Sequence, residues 1–259
     1  MAKIKLLLHF LLWIPFIAFS QSGKIDTDRP DQSESAFTVP EKWIQVETGI
    51  GLQKNNHARD YEYALPSILS KYGISKRIEL RLITTYQSHS TILIPTGTVT
   101  EAGLLPVEVG TKINLSAEKK FLPKTSLLFH LGFPSLGSKK FATAHVAPRF
   151  RFAFQKTLSA SSALGCNLGA EWDGSGNSDP AWIYTLSPGF DLSEKWYAYV
   201  EVFGFIYKDE SPEHTLAAGI AWYANKDLKI DLSGGFGISP AAPVYYTAAG
   251  FSFRIHTKK

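Results

Sequence analysis

Asp227-Leu-Lys-Ile-Asp-Leu-Ser-Gly-Gly-Phe-Gly-Ile238, then Ser239-Pro-Ala-Ala-Pro243, then Val244-Tyr-Tyr-Thr-Ala-Ala-Gly-Phe-Ser-Phe-Arg-Ile255 is the stretch whose reading decides the fold. Leu228, Ile230, Leu232, Phe236 and Ile238 share one parity, and Lys229, Asp231, Ser233, Gly235 and Gly237 share the other. That period of two is the mark of a strand with one apolar and one polar face. Tyr245, Thr247, Phe251, Phe253 and Ile255 alternate in the same way with Tyr246, Gly250, Ser252 and Arg254, and the Pro-containing link supplies the turn. The stretch is an amphipathic hairpin. A soluble sandwich would bury its apolar face under a second sheet, whereas an outer-membrane barrel turns that face to lipid and the polar face to the lumen.

The pattern returns along the chain. Strands are expected from Trp43 to Leu52, Ile78 to Tyr86, Val107 to Ile113, Leu127 to Phe133, Phe150 to Phe154, Leu164 to Trp172, Trp182 to Leu186, Trp196 to Ile206 and Leu216 to Trp222. Tyr61 to Tyr72 is less regular and contains Pro66, a residue that lacks the N–H a central strand uses. Ser88 to Leu105 reads as the longest loop. The count is about twelve strands, an even number within the range of single-chain outer-membrane barrels. If the N-terminus is periplasmic, the turns on that side are short and charged and those on the other side longer, as barrels show. Trp43, Trp172, Trp182, Trp196 and Trp222 lie towards strand ends, where interfacial girdles place them. No apolar run after residue 20 approaches the ~18 residues of a membrane helix, so a membrane crossing requires a barrel.

At the N-terminus, Lys3 and Lys5 precede an apolar run from Leu6 to Phe19, and Ala18-Phe-Ser20 offers small residues for cleavage. Residues 1–20 are expected to be a cleaved signal peptide, residues 21–40 a periplasmic leader, and residues 41–259 an outer-membrane β-barrel. The 27 Lys and Arg against 23 Asp and Glu give a formal charge of +4, and removing the two lysines of the signal leaves a nearly neutral chain. No basic block points to nucleic acid. Cys166 is the single cysteine, which excludes a disulfide framework and a cysteine metal site within one chain.

At Ile25-Asp-Thr-Asp-Arg-Pro-Asp-Gln-Ser-Glu-Ser-Ala-Phe-Thr-Val-Pro40, followed by a Gln-Val-Glu-Thr-Gly strand, the chain resembles the bacterial outer-membrane transporter family named for the phenol-degradation MetA pathway. Its Bacteroidetes-type members carry a similar Thr-Asp-Arg-Pro-Asp opening. The likeness continues at Glu79-Leu-Arg81, Gly110-Thr-Lys112, Tyr199-Val-Glu-Val-Phe-Gly204, Lys229-Ile-Asp231 and Gly250-Phe-Ser-Phe-Arg254. The resemblance implies an all-β, antiparallel up-and-down transmembrane barrel acting as a channel or transporter for small molecules, hydrophobic or aromatic ones among them. It brings no catalytic residue, metal or cofactor. The expected partners are outer-membrane lipid, a small-molecule solute and the barrel assembly machinery of a Gram-negative cell. The chain departs from the usual barrel ending on an aromatic residue, because His256-Thr-Lys-Lys259 follows the last strand.

The polar parity carries Glu47, Glu79, Glu108, Glu171, Glu201 and Asp231, and with them Arg81, Lys112, Arg149, Arg151, Lys229 and Arg254. In a barrel these twelve side chains line the lumen. They either pair off across strands as a structural network, giving a closed structural or adhesive barrel, or leave a selective passage. A barrel-borne hydrolase would need a nucleophile beside a base; Ser126 and His130 share a face, but four residues along a strand set them about 13 Å apart. In the leader, Asp28, Arg29, Pro30 and Asp31 are the candidates for a plug: Arg29 is expected to pair with lumenal carboxylates, and Asp28 or Asp31 with arginines such as Arg149 or Arg151. The other expectation for this segment is a solvated linker.

Overall fold

The computed structural model describes residues 23–55, 60–93, 97–176 and 179–257; the expected signal peptide and His57 lie outside them. The strands are β1 Trp43–Lys54, β2 Asp60–Gly73, β3 Ile78–Leu93, β4 Gly97–Leu104, β5 Val107–Ser116, β6 Lys124–Phe133, β7 Ala147–Ser159, β8 Ser162–Glu171, β9 Ala181–Asp191, β10 Trp196–Ile206, β11 Glu213–Asn225, β12 Leu228–Gly237 and β13 Tyr245–His256. All neighbours are antiparallel, and β1 pairs with β13 from Trp43 opposite His256 to Lys54 opposite Tyr245. That ladder, with β2 paired to both β1 and β3, closes the sheet.

The result is a barrel of twelve staves, because β4 and β5 share one. β3 is long enough to pair with β5 over Ile78–Ile83 and with β4 over Tyr86–Leu93. The segment Ser88 to Leu105, expected as a loop, is therefore mostly a projecting hairpin. Its Thr and Gly content resembled a loop because, as the burial of β4 shows, most of these side chains are exposed and need no apolar parity. Tyr61 to Tyr72 is likewise a full strand. Its register shifts between Ala64 and Ser67, a bulge that turns both Leu65 and Pro66 outward and breaks the period of two.

The start of β1 and the end of β13 meet at one rim, where Thr257 N–H donates to the Lys42 carbonyl at 2.8 Å. This end is called the terminal rim, and the other, carrying the longer connections such as 134–146 and 172–180, the loop rim. Trp196 pairs with Trp222 at the terminal rim, and Trp182 opens β9 at the loop rim.

The faces are inverted relative to a soluble protein. Leu80, Leu82, Phe129, Leu168, Val200 and Leu232 are exposed on the outside, while Glu47, Glu79, Arg81, Lys112, Glu201 and Asp231 are buried inside. Val109 is 45% exposed while Lys112, three residues on, is 0% exposed. Only a lipid solvent makes such a distribution favourable, since in water it would expose the apolar wall and bury the charges.

Candidate functional site

The lumen is occupied by the chain's own leader. Ile25 donates to the Lys226 carbonyl at 2.7 Å beside the terminal rim. From there the leader climbs to a turn at Arg29–Gln32, then returns to Pro40 and enters β1. The ascending limb is held by Gln45, whose amide donates to the Asp26 carbonyl at 2.6 Å, and by Lys229, which donates to the Arg29 carbonyl at 2.7 Å. The returning limb is held by Glu79, which accepts from Val39 N–H at 2.6 Å, and by Ser126, which donates to the Ala36 carbonyl at 2.7 Å. Ala36 packs on Leu128 and Ala153, the one apolar core cluster among the described residues.

Asp28 is the hub. Its carboxylate meets Arg81 Nη1 at 2.8 Å, Lys112 Nζ at 3.0 Å and Lys71 Nζ. Arg81 also reaches Glu79 at 2.9 Å and Glu34 of the leader at 2.7 Å. Glu47 takes the backbone N–H groups of Asp28 and Arg29, each at 3.0 Å, and pairs with Lys71. Burial alone would raise the Asp28 carboxyl, but Lys112, Lys71 and Arg81 hold it well below the usual carboxylate range. Asp31 goes the other way: burial, with the Glu201 carboxylate nearby, pushes it well above that range.

At the turn, Arg29 Nη2 lies 2.9 Å from Asp231 Oδ1, and Glu201 accepts from the N–H groups of Gln32 and Ser33 at 2.9 and 2.7 Å. The Arg29 guanidinium lies flat against the backbone of Gly49 and Gly250, and a Cβ at either position would sit 2.5 Å from its Nη2. Two glycines on adjacent strands, facing inward, make the slot it needs.

The plugged lumen keeps space on both sides of the turn. Below the turn, on the terminal side, a cavity of about 230 Å³ is lined by Asp26, Thr27, Asp31, Tyr197, Tyr223 and Lys229 among others. Above it, open toward the loop rim, a vestibule of about 420 Å³ has Arg29, Pro30, Asp31 and Gln32 as its floor. Its walls include Phe203, Phe205, Tyr245, Tyr246, Thr215 and Glu213. Phe203 stacks on Phe205 edge to face at 6.4 Å and lies 6.2 Å from Tyr246. At the floor, Arg29 Nε and Ser233 Oγ are buried without a hydrogen-bond partner among the described residues.

Eight of the twelve lumen candidates are buried, and Glu108, Arg149, Glu171 and Arg254 are half-buried. Arg149 pairs with Glu108 at 2.7 Å, Arg151 with Glu171 at 3.4 Å, and Arg254 with Asp227 at 2.8 Å. Asp28 does not reach Arg149 or Arg151; its partners are Arg81, Lys71 and Lys112, because the ascending limb runs along β1 to β5 and Arg151 faces the far side of the turn, donating to the Gln32 carbonyl at 3.1 Å. Asp31 accepts from Ser187 at 3.3 Å. Lys71, 3% exposed, is the central residue that sequence parity missed, since the bulge at Leu65 and Pro66 hides which face of β2 it occupies. Ser126 and His130 do not meet: Ser126 bonds to Ala36, and His130 Nε2 accepts from Arg81 Nε at 3.0 Å. Among the described residues no group of three or more His, Cys, Asp or Glu is placed to hold a metal ion.

A model of the family described as "Putative MetA-pathway of phenol degradation" matches residues 27–255. None of the curated proteins compared matches the sequence. Among solved structures, the COG4313 outer membrane channel from Pseudomonas putida F1 superposes with a TM-score of 0.68 at 9% identity, covering 90% of this chain and 100% of that one. The NanC porin gives 0.56 at 8% identity, covering 82% and 100%, and the KdgM porin in complex with oligogalacturonate gives 0.55 at 9%, covering 82% and 99%. At these identities the likeness concerns the fold, that of outer-membrane porins and channels.

Proposed function

The chain belongs to the family whose model spans its residues 27–255, and from that premise we propose that it is an outer-membrane channel for small solutes, plugged from the terminal side by its own leader. The observation that carries the reading is the leader's seating: a segment of charge, Ser and Pro that could not form a wall strand fills the lumen, held by buried ion pairs to β2, β3, β5 and β12. Because the leader is one covalent loop bonded to the wall through polar contacts, it can leave as a unit without any stave breaking its ladder. The terminal rim is then periplasmic, as in outer-membrane barrels generally. Residues 1–20 act as the export signal, and β13, from Phe251 to Ile255, presents the apolar ending that the assembly machinery reads in a Gram-negative envelope.

The vestibule supports the solute class. Its volume lies within the ~300–1,000 Å³ of ordinary ligand pockets, and its aromatic walls above a polar floor suit a small molecule with an apolar body and a polar end. No enzymatic step is assigned, since the Ser126 and His130 side chains are committed to other partners.

The test is deletion of residues 24–36. The barrel is expected to fold, shown by its heat-modifiable gel migration, and its single-channel conductance in planar bilayers is expected to exceed that of the full chain. A folded deletion variant with unchanged conductance would support the competing reading, a closed structural barrel.

A further inference from the structure

The wall around Asp28 is not neutral by itself. Lys71, Arg81 and Lys112 project from β2, β3 and β5, all buried, and among the described residues the wall supplies two carboxylates to this patch, Glu47 and Glu79. Glu47 serves Lys71. Glu79 serves Arg81 at 2.9 Å and stands 3.8 Å from Lys112. With the leader withdrawn, three wall cations face two wall carboxylates, and Lys112, 3.8 Å from Glu79, is the least closely paired of them. Its charge then faces the open lumen and attracts an anion there. In the plugged state the anion is a carboxylate from the chain itself, bound through both oxygens: Oδ1 to Lys112 Nζ at 3.0 Å and Oδ2 to Arg81 Nη1 at 2.8 Å and to Lys71. Three buried cations from three strands converging on one carboxylate have the geometry of a carboxylate receptor.

We propose that Lys71, Arg81 and Lys112 form a carboxylate-binding site of the passage, and that Asp28 fills it as an internal stand-in while the leader is seated. The site rests on the channel reading for its role in transport, but its existence does not. Its ligands are small monocarboxylates whose carboxylate replaces that of Asp28; the vestibule above accepts their apolar bodies on the way in. An anionic solute reaching the site competes with Asp28 for the same three cations and so favours the withdrawn leader by mass action.

Two measurements test this separately. In the full chain, Asp28→Gly empties the site while the leader keeps its bonds to Glu79, Glu201 and Asp231. Added formate is expected to raise the thermal midpoint of the variant by about 2–4 °C, with no rise in the unsubstituted protein and none in Asp28→Gly combined with Lys112→Gln. No rise, or an equal rise with chloride at the same ionic strength, overturns the carboxylate site whatever the channel does. In the chain lacking residues 24–36, a salt gradient across a bilayer is expected to give a reversal potential on the anion side of zero, and Lys112→Gln is expected to move it toward the cation side. A conducting variant with no anion preference overturns the site's part in permeation. A folded variant that does not conduct overturns the channel reading instead, and the formate result still decides the site.

Discussion

Arg29 and Asp231 stand 202 residues apart in the chain and 2.9 Å apart in the lumen, and the guanidinium reaches Asp231 only by lying on the bare backbone of Gly49 and Gly250. A methyl group at either glycine occupies the space of its Nη2. Gly49→Ala or Gly250→Ala is therefore expected to lift the turn of the leader while the ladders persist. Amide exchange should rise across 24–36 and stay slow in β1 and β13; unchanged protection in the leader would contradict the slot.

Lys71 holds Asp28 and Glu47 at once. Removing one partner of a buried charged network typically costs about 3–5 kcal/mol, because the remaining charges stay buried. Lys71→Met is expected to lower unfolding stability in lipid vesicles by that order, whereas Lys140→Met, in the exposed 3.8 Å contact with Glu101, should change it little.

The outward face sets a separate expectation. Val109 and Val200 face lipid in mid-strand, so lysine at either should cost about 2–4 kcal/mol. Lysine at Thr215, which lines the vestibule, should cost less. Gly110 does not serve as the lumenal comparison, since a Cβ there would collide with the His130 ring. Denaturant titration of the folded barrels in vesicles distinguishes the two faces.

The acid response of the plug follows from Asp28. Its carboxyl is held below the range of an unfolded carboxylate, so its contribution is fully present above the unfolded value of about 3.9 and is lost as pH falls through the lower folded value. Leader protection in amide exchange is expected to be the same at neutral and mildly acidic pH and to fall only below about pH 4. Asp28→Asn should remove that acid-dependent part. A loss of protection between neutral pH and about pH 5 would instead assign control to another group.

The barrel was legible in the sequence because a strand's side chains alternate strictly between two solvents. The hairpin from Asp227 to Ile255 announces lipid on one side and a polar lumen on the other, and the same parity puts eight of the twelve lumen candidates among the buried residues. That alternation is a local property, so it survives without knowledge of partners. It fails where the local rule is broken: at Leu65 and Pro66 a bulge turns two neighbours outward and conceals Lys71, and from Ser88 to Leu105 the hairpin rises clear of the apolar wall and loses its pattern.

The leader is the opposite case. Its charges and Pro30 excluded a strand, but which wall residues it meets depends on how far a loop entering at the terminal rim climbs before it turns. Sequence chemistry matched Arg29 with a carboxylate. Only the closed barrel, which brings β2, β3 and β5 within one carboxylate's reach, selected Lys71, Arg81 and Lys112 for Asp28 over Arg149 and Arg151, because electrostatic pairing in a low-dielectric lumen is decided by distance and burial rather than by charge alone.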